Sequence, residues 1–223
     1  MLLLRYQLRT LFSLWHGVAL LVLGATALIW PTAHPDEQAV LRWLLLRSEV
    51  FGPPVLMALT SGLLLVQGRV EERWGAMPPG FPGLFRQRWL LVAGYFTLAV
   101  ALFLALGGPR SGSAFPYLRT LGSTVVTATV FALVVPLIHT ATGSAAFGWA
   151  AGMATYFITM TAAQFWCPYD SVYQLWLPFA GISDATPQQL LVSKGAYAVL
   201  ALLLFWANLR WLERPERLLS RGE

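Results

Sequence analysis

Long apolar runs alternate along the chain with short segments that hold nearly all of its charge. Asp, Glu, Lys and Arg are absent from three runs and nearly absent from a fourth: residues 11–33, 50–68, 89–109, and 120–193, the last interrupted only by Asp170 and Asp184. A helix needs about 20 apolar residues to cross a bilayer core about 30 Å thick. The runs are continuous instead of alternating, and they are longer than a membrane strand, so they predict helices.

The longest run must hold more than one span, and Gly143 with Ser144 marks a turn inside it. Lys194 precedes a last apolar run. We therefore predict an all-α polytopic membrane protein whose single domain, residues 1–223, crosses the bilayer in six transmembrane helices. The predicted spans are residues 12–31, 50–68, 89–107, 121–140, 144–163 and 191–211.

Three further segments are too polar or too often interrupted to span. Residues 1–11 place Arg5 and Arg9 on one helical face among apolar side chains, which predicts an amphipathic helix on the inner surface. Residues 34–49 predict a second interfacial helix, on the outer side. Residues 163–189 are rich in aromatic side chains but broken by Pro and Gly, and they predict short re-entrant helices in the outer leaflet before the last span.

Composition and charge narrow the class of protein. Hydrophobic residues make up 57% of the chain and charged residues only 11%, whereas soluble domains carry about 25% charged residues. The net charge of +5 indicates topology instead of nucleic-acid binding, because basic residues favour cytoplasmic segments. Most basic residues lie in the inner segments if both termini are inside. We therefore expect a multi-pass protein of the bacterial cytoplasmic membrane with both termini in the cytoplasm.

The reactive side chains indicate no catalytic or metal site, and we expect neither enzyme activity nor a cofactor in this chain. Cys167 is the single cysteine, which excludes an intramolecular disulfide and a multi-cysteine metal site. His16, His34 and His139 are too scattered for a metal site, which leaves packing or proton chemistry open for them. The sequence argues against an intramembrane serine protease, because Gly143 stands at the serine position and no histidine follows His139. We expect no charge at mid-depth, which argues against an ion channel or a proton-coupled transporter.

The stretch "RVEERWGAMPPGFPGLFRQR", residues 69–88, concentrates charge, Pro and Gly between the second and third predicted spans, on the cytoplasmic side. Its apolar Trp74, Met77 and Phe81 are interleaved with charged residues. This mixture is typical of a docking surface for a soluble partner. A connector whose aromatic side chains rest on lipid is the alternative.

Within this stretch, "EERWGAM…FPGLFRQRWLLVAGY" resembles the loop between the second and third spans of type-2 ABC exporter permeases. That loop typically has a Glu-Arg-x-x-Gly-Thr-Leu-like motif and a Pro-containing turn. The residues that match in type and spacing are Glu72, Arg73, Gly75, Ala76 and Met77. The surface helix, six spans, re-entrant helices and basic tail also agree in layout. Pro78 and Pro79 depart from the family, whose helix usually continues there, and they predict a docking helix that ends near Met77.

The resemblance implies the transmembrane permease subunit of an ATP-driven exporter. In that family the loop is a coupling helix that docks on the ATP-binding subunit, and here it corresponds to Glu71, Glu72, Arg73, Trp74, Gly75 and Met77. The chain has no Gly-x-x-x-x-Gly-Lys-Ser/Thr motif, so ATP and Mg²⁺ are expected in a separate ATPase subunit. The other expected partners are a second permease chain, identical or related, and membrane lipid, but not nucleic acid. The alternative is a non-transporting accessory or immunity protein, and a small membrane enzyme comes third.

Two residue sets on the second and fifth predicted spans complete the candidate sites. Gly148 and Gly152 form a GxxxG pattern that lets helices approach closely, either within the chain or across a dimer. An apolar or amphipathic cargo would pass between two six-span units. Its pathway candidates are Thr60, Ser61, Met153, Tyr156 and Thr159. Ordinary helix packing is the alternative for each of these residues.

The six-span topology is tested by reporter fusions or by labelling of single introduced cysteines. Positions 38, 112 and 175 are expected to react from the outside, and positions 78 and 220 from the inside. Reaction of position 175 from the inside would overturn the scheme, because the segment before the last span would then cross the bilayer.

Overall fold

The computed structural model describes residues 37–60, 80–107, 116–165 and 187–213. These residues form five helices and no strand: α1 is Glu37–Thr60, α2 is Gly80–Gly107, α3 is Tyr117–Thr142, α4 is Ala145–Phe165 and α5 is Pro187–Leu212. The predicted surface helix, first span, coupling loop up to residue 79 and most of the re-entrant segment lie outside the described residues. Those elements therefore stay predictions.

The described part of the chain is all-helical, as predicted. Three of its helices contain segments that are long and apolar enough to cross a membrane: Gly80–Leu106, Tyr117–Thr142 and Leu190–Leu212. They correspond to the predicted third, fourth and sixth spans. α4 corresponds to the fifth, and it contains no charged residue.

α1 joins two segments that the sequence analysis treated separately. The outer interfacial helix was predicted to end at residue 49 and the second span to begin at residue 50, but both lie in one helix, Glu37–Thr60. The helix continues through Pro53 and Pro54. A proline removes one helical hydrogen bond, and membrane helices tolerate this where neighbouring groups satisfy the released carbonyl.

Contacts between distant residues show how the helices run. Ser123 pairs with Glu49, and Thr60 pairs with Ala132, so α1 and α3 run in the same direction. Tyr117, at the start of α3, donates a hydrogen bond from its hydroxyl to a carbonyl near the end of α2 (2.7 Å). α2 therefore runs opposite to α3.

A tight turn reverses the chain between α3 and α4. Gly143 has a left-handed backbone (φ 74°), and its N–H donates to the carbonyl of His139 (2.8 Å). Glycine adopts this conformation without the steric cost that other residues have. The predicted turn is thus found at the predicted residue.

Aromatic contacts between α2 and α5 identify one end of the bundle. Phe85 and Trp89, near the start of α2, pack against Phe205 near the end of α5, with ring centroids 6.0 and 6.4 Å apart. The start of α2 and the end of α5 therefore meet at one end. We call it the basic end after its Arg86, Arg88 and Arg210, although Glu213 lies there too and the opposite end also carries basic residues, among them Arg119. α2 and α4 begin at this end, and α1, α3 and α5 run toward it.

α3 forms the centre of the bundle. Its buried apolar side chains lie against α1, α2, α4 and α5: Ala128, Val130, Phe131, Ala132, Leu133 and Val135. Apart from Leu118 at the start of α3, the large apolar side chains that remain exposed lie on α2, α4 and α5. A bilayer solvates such faces, so the helices need not bury them against protein.

The GxxxG pair packs within the chain. A methyl group at Gly148 would lie 2.5 Å from the backbone oxygen of Val135, and one at Gly152 would lie 2.7 Å from a methyl carbon of Val135 and 3.0 Å from the sulfur of Met57. The two glycines therefore let α4 approach α3 and α1 closely. In the described conformation, their free faces are occupied by this chain's own helices.

Gly148→Ala is expected to destabilise the bundle by about 1–3 kcal/mol, because the new methyl group has backbone atoms as neighbours and cannot be accommodated by a side-chain movement. Gly94→Ala is the matched control, since a methyl group there meets nothing within 4 Å. The control is expected to gain up to about 1 kcal/mol from helix propensity. Thermal unfolding of the two purified variants in one detergent measures the difference. Equal melting temperatures would contradict the close approach.

Candidate functional site

The predicted coupling residues lie outside the described residues. Thr60 and Gly80 flank the intervening segment, and α2 begins at the basic end while α1 runs toward it. Ser61, one of the pathway candidates, also lies outside. The docking role of this segment therefore rests on its sequence.

The other four pathway candidates lie on α1 and α4. Thr60 and Tyr156 are buried, and Met153 and Thr159 are partly buried. The Tyr156 ring packs edge-on against Phe131 of α3, with centroids 5.7 Å apart. The Thr159 hydroxyl donates to the carbonyl of Thr155 in its own helix (2.7 Å). In this conformation these side chains take part in helix packing.

Two of these candidates hydrogen-bond to carbonyls that prolines release. Pro54 has no N–H to donate to the carbonyl of Val50, and the Tyr156 hydroxyl donates to that carbonyl at 2.6 Å. Pro136 likewise releases the carbonyl of Ala132 in α3. The Thr60 hydroxyl approaches that oxygen at 3.5 Å, while also donating to Met57 of its own turn (2.8 Å). A backbone carbonyl without a hydrogen-bond donor is destabilising in hydrocarbon. These two contacts therefore explain how the proline-containing segments remain helical.

A buried ion pair lies where α1, α3 and α5 meet. Glu49 is fully buried and Lys194 is 8% exposed. The Lys194 ammonium lies 3.7 Å from Oε2 of Glu49 and donates a hydrogen bond to the hydroxyl of Thr127 (2.7 Å). Ser123 donates a hydrogen bond to the other carboxylate oxygen, Oε1. The pair balances its charges, and hydroxyls of α3 provide polar neighbours within an apolar bundle.

The hydroxyl-bearing face of α3 makes this site possible. Four consecutive positions on one face are polar and buried: Thr120, Ser123, Thr124 and Thr127. α1 approaches this face closely, because a methyl group at Gly52 would lie 3.0 Å from the methyl carbon of Thr124. Ser193 of α5 is also buried, next to Lys194 in the sequence. Three helices far apart in sequence thus form one polar cluster.

This cluster was not predicted from the sequence. Glu49 and Lys194 were both expected in outer segments, and nothing in the sequence brought them together. The structure instead buries both inside the bundle, Glu49 near the middle of α1 and Lys194 eight residues into α5. A signal was present, because Lys194 lies inside the predicted sixth span and buried lysines need a counter-charge. The sequence did not show which acidic residue would provide it.

A second polar contact joins α3 and α5 nearer the basic end. The side-chain amide of Asn208, fully buried, donates to the carbonyl of Leu133 in α3 (3.1 Å) and to Leu204 of its own helix (2.8 Å). Together with the ion pair, it fixes α5 against α3 at two levels. The predicted sixth span is therefore held by polar contacts as well as by apolar packing.

His139 lies beside the glycine contact of α4. A methyl group at Gly148 would lie 3.1 Å from the Cβ of His139, and the imidazole is partly buried. Its surroundings are those of a packing residue at the end of α3. His16, His34 and Cys167 lie outside the described residues.

Comparison of the chain with protein-family models, with curated proteins and with solved structures finds no match. The function therefore has to be argued from the residues and from the geometry.

Tyr156→Phe is expected to destabilise the protein by about 1–3 kcal/mol, because it leaves the carbonyl released by Pro54 buried without this donor. Tyr117→Phe is the matched control. It removes a similar hydrogen bond (2.7 Å) to Ala101, but that carbonyl keeps a helical N–H donor within α2. Thermal unfolding of the two variants in the same detergent gives the comparison. A control loss as large as that of Tyr156→Phe would contradict the role assigned to the proline.

Proposed function

We propose that this chain is the transmembrane permease subunit of an ATP-driven ABC exporter and forms half of a translocation pathway. The observation that supports it most is the motif of residues 71–77, which combines charged and bulky apolar side chains between α1 and α2. The resemblance of this motif to the coupling loop of type-2 exporter permeases assigns it to ATPase docking.

The direction of the helices agrees with this assignment. α1 runs toward the basic end and α2 begins there, so the two described helices that flank the motif in sequence end and begin on the same side of the bundle. Over the whole sequence, ten of the fifteen Lys and Arg residues fall in the predicted inner segments. Basic residues favour the cytoplasmic side of a membrane, which is the side where ATP is available.

The composition of the motif suits a protein interface. Trp74 and Met77 would be the buried anchors, each worth about 1–3 kcal/mol of binding free energy. Glu71, Glu72 and Arg73 would make rim contacts worth about 1 kcal/mol or less each. Gly75 would let the partner's backbone approach closely.

The remaining parts of the proposal follow from this role. ATP and Mg²⁺ would bind to the separate ATPase subunit, and a second permease chain would complete the pathway. The protein would lie in the bacterial cytoplasmic membrane with six spans and both termini inside. The packed positions of Thr60 and Tyr156 make them positioning residues in the described conformation. Met153 and Thr159, which are only partly buried, are the better candidates for contact with an apolar or amphipathic cargo.

The double variant Trp74→Ala/Met77→Asp is expected to lose copurification of its ATPase subunit and cargo-stimulated ATP hydrolysis, because it removes both anchors and adds an unpaired charge. Membrane insertion should be unaffected. The readouts are the ATPase recovered with the tagged chain from native membranes and the hydrolysis rate of the purified complex.

The matched control is Leu118→Ala/Leu191→Asp, which makes the same kinds of change at exposed positions near the opposite end of the bundle. It should retain the ATPase. If the loop variant holds its ATPase and transports normally, residues 71–77 are an interfacial connector. A wild-type chain that copurifies with no ATP-binding subunit would instead favour the accessory-protein alternative.

A further inference from the structure

The buried carboxylate of Glu49 has fewer hydrogen bonds than a fully buried charge normally needs. Among the described residues, Oε2 of Glu49 accepts no hydrogen bond, and its distance of 3.7 Å from the Lys194 ammonium is that of an ion pair without close contact. Removing two charges from water costs several kcal/mol each, which attraction offsets only when the geometry and hydrogen bonding are good. The unsatisfied carboxylate oxygen therefore makes Glu49 the less firmly held member of the pair.

The pair lies toward the end of the bundle opposite to the basic end. Lys194 and Ser123 are both in the first third of their helices. Lys194 retains 8% exposure.

α1 has a built-in weak point directly after Glu49. Pro53 cannot donate to the carbonyl of Glu49, and Pro54 cannot donate to that of Val50. Two successive helical hydrogen bonds are therefore missing, and the Tyr156 hydroxyl replaces the donor of only one of them, at Val50. On the far side of the prolines, Val55, Leu56, Met57 and Leu59 are buried in the core. The residues after the prolines are thus held by apolar packing in the core. Glu49, just before the prolines, is held by its polar contacts with Ser123 and Lys194.

We propose that Glu49 and Lys194 form a reversible latch and that Pro53–Pro54 is its hinge, so that α1 separates from α5 at the end opposite to the basic end when the ion pair opens. Ser123 and Thr127 position the two charged groups in the closed state. The latch follows from the geometry alone. Its use as the outer gate of a transport cycle rests on the proposed exporter function.

Lys194 provides a direct test, because it is the only lysine in the sequence. A membrane-impermeant amine-reactive ester, applied at one fixed pH to the full chain in nanodiscs, labels it only when the latch opens. Leu118→Lys places a reference amine at a position 80% exposed, near the same end, in every variant. Mass spectrometry of the two peptides gives the ratio of Lys194 labelling to reference labelling.

In the otherwise unchanged chain, Lys194 is expected to react about tenfold or more slowly than the reference amine, because it reacts only during local opening. Glu49→Gln, which removes its counter-charge, should raise the ratio severalfold. Ser123→Ala should raise it as well, and it tests the latch without altering either charged group. Lys194 labelling as fast as the reference would overturn the proposal, and so would the absence of any increase in folded Ser123→Ala protein.

The hinge is what distinguishes a moving latch from a static ion pair. Pro53→Ala/Pro54→Ala restores the two backbone donors and is expected to slow Lys194 labelling about threefold or more, because opening then breaks two further hydrogen bonds. Pro136→Ala, in α3, is the matched control and should leave the ratio unchanged. An unchanged ratio in the hinge variant would show that the pair opens without α1 bending, and the hinge would be wrong.

A final experiment distinguishes the proposed latch from the proposed exporter function. In native membranes, ATP should raise Lys194 labelling, and Trp74→Ala/Met77→Asp should remove that increase while leaving the resting ratio as it was. If ATP has no effect but the hinge and latch variants behave as expected, the coupling to ATP is wrong and the latch stands. If the variants have no effect but ATP-driven transport is intact, the latch is wrong and the exporter stands.

Discussion

Polar groups inside this bundle depend on partners in the protein, because lipid offers none. A backbone carbonyl or a charge left alone in hydrocarbon costs several kcal/mol. Prolines in α1 and α3 remove helical donors, and Glu49 and Lys194 bring opposite charges into the interior. The arrangement of the helices is consistent with this constraint, since hydroxyl and amide side chains from neighbouring helices lie at these positions.

α3 meets most of these demands, which explains its central place. One face offers the hydroxyls that surround the ion pair, and the rest of its length offers apolar side chains to the other four helices. α5 is attached to it at two levels, by Lys194 and by Asn208. α4 is attached through glycines, where close approach replaces polar contact. α3 therefore contacts α5 through polar side chains and α4 through close packing at glycines.

The same features suit a protein that changes conformation. An apolar core packed without polar groups resists separation, whereas an ion pair with incomplete hydrogen bonding is stable only while water is excluded. The pair lies next to two prolines, so an incompletely hydrogen-bonded ion pair adjoins a helix segment that lacks two backbone hydrogen bonds. In the proposed exporter, the ATPase would move the basic end, and the opposite end would open. α1 links them, because it passes through the cluster and then runs toward the coupling segment.

The sequence by itself determined the helical class, the turn at Gly143 and three strongly apolar spans, because these follow from local hydropathy and backbone preference. It also supplied the docking motif and the resemblance on which the proposed function rests. Only the tertiary structure decided that Glu49 meets Lys194, because an ion pair between residues 145 positions apart depends on how the helices pack. The same reason applies to Tyr156 and Thr60, which read as pathway residues in the sequence and satisfy proline-released carbonyls in the fold. Hydropathy reports where a residue can lie, but the partner of a buried polar group is chosen by geometry.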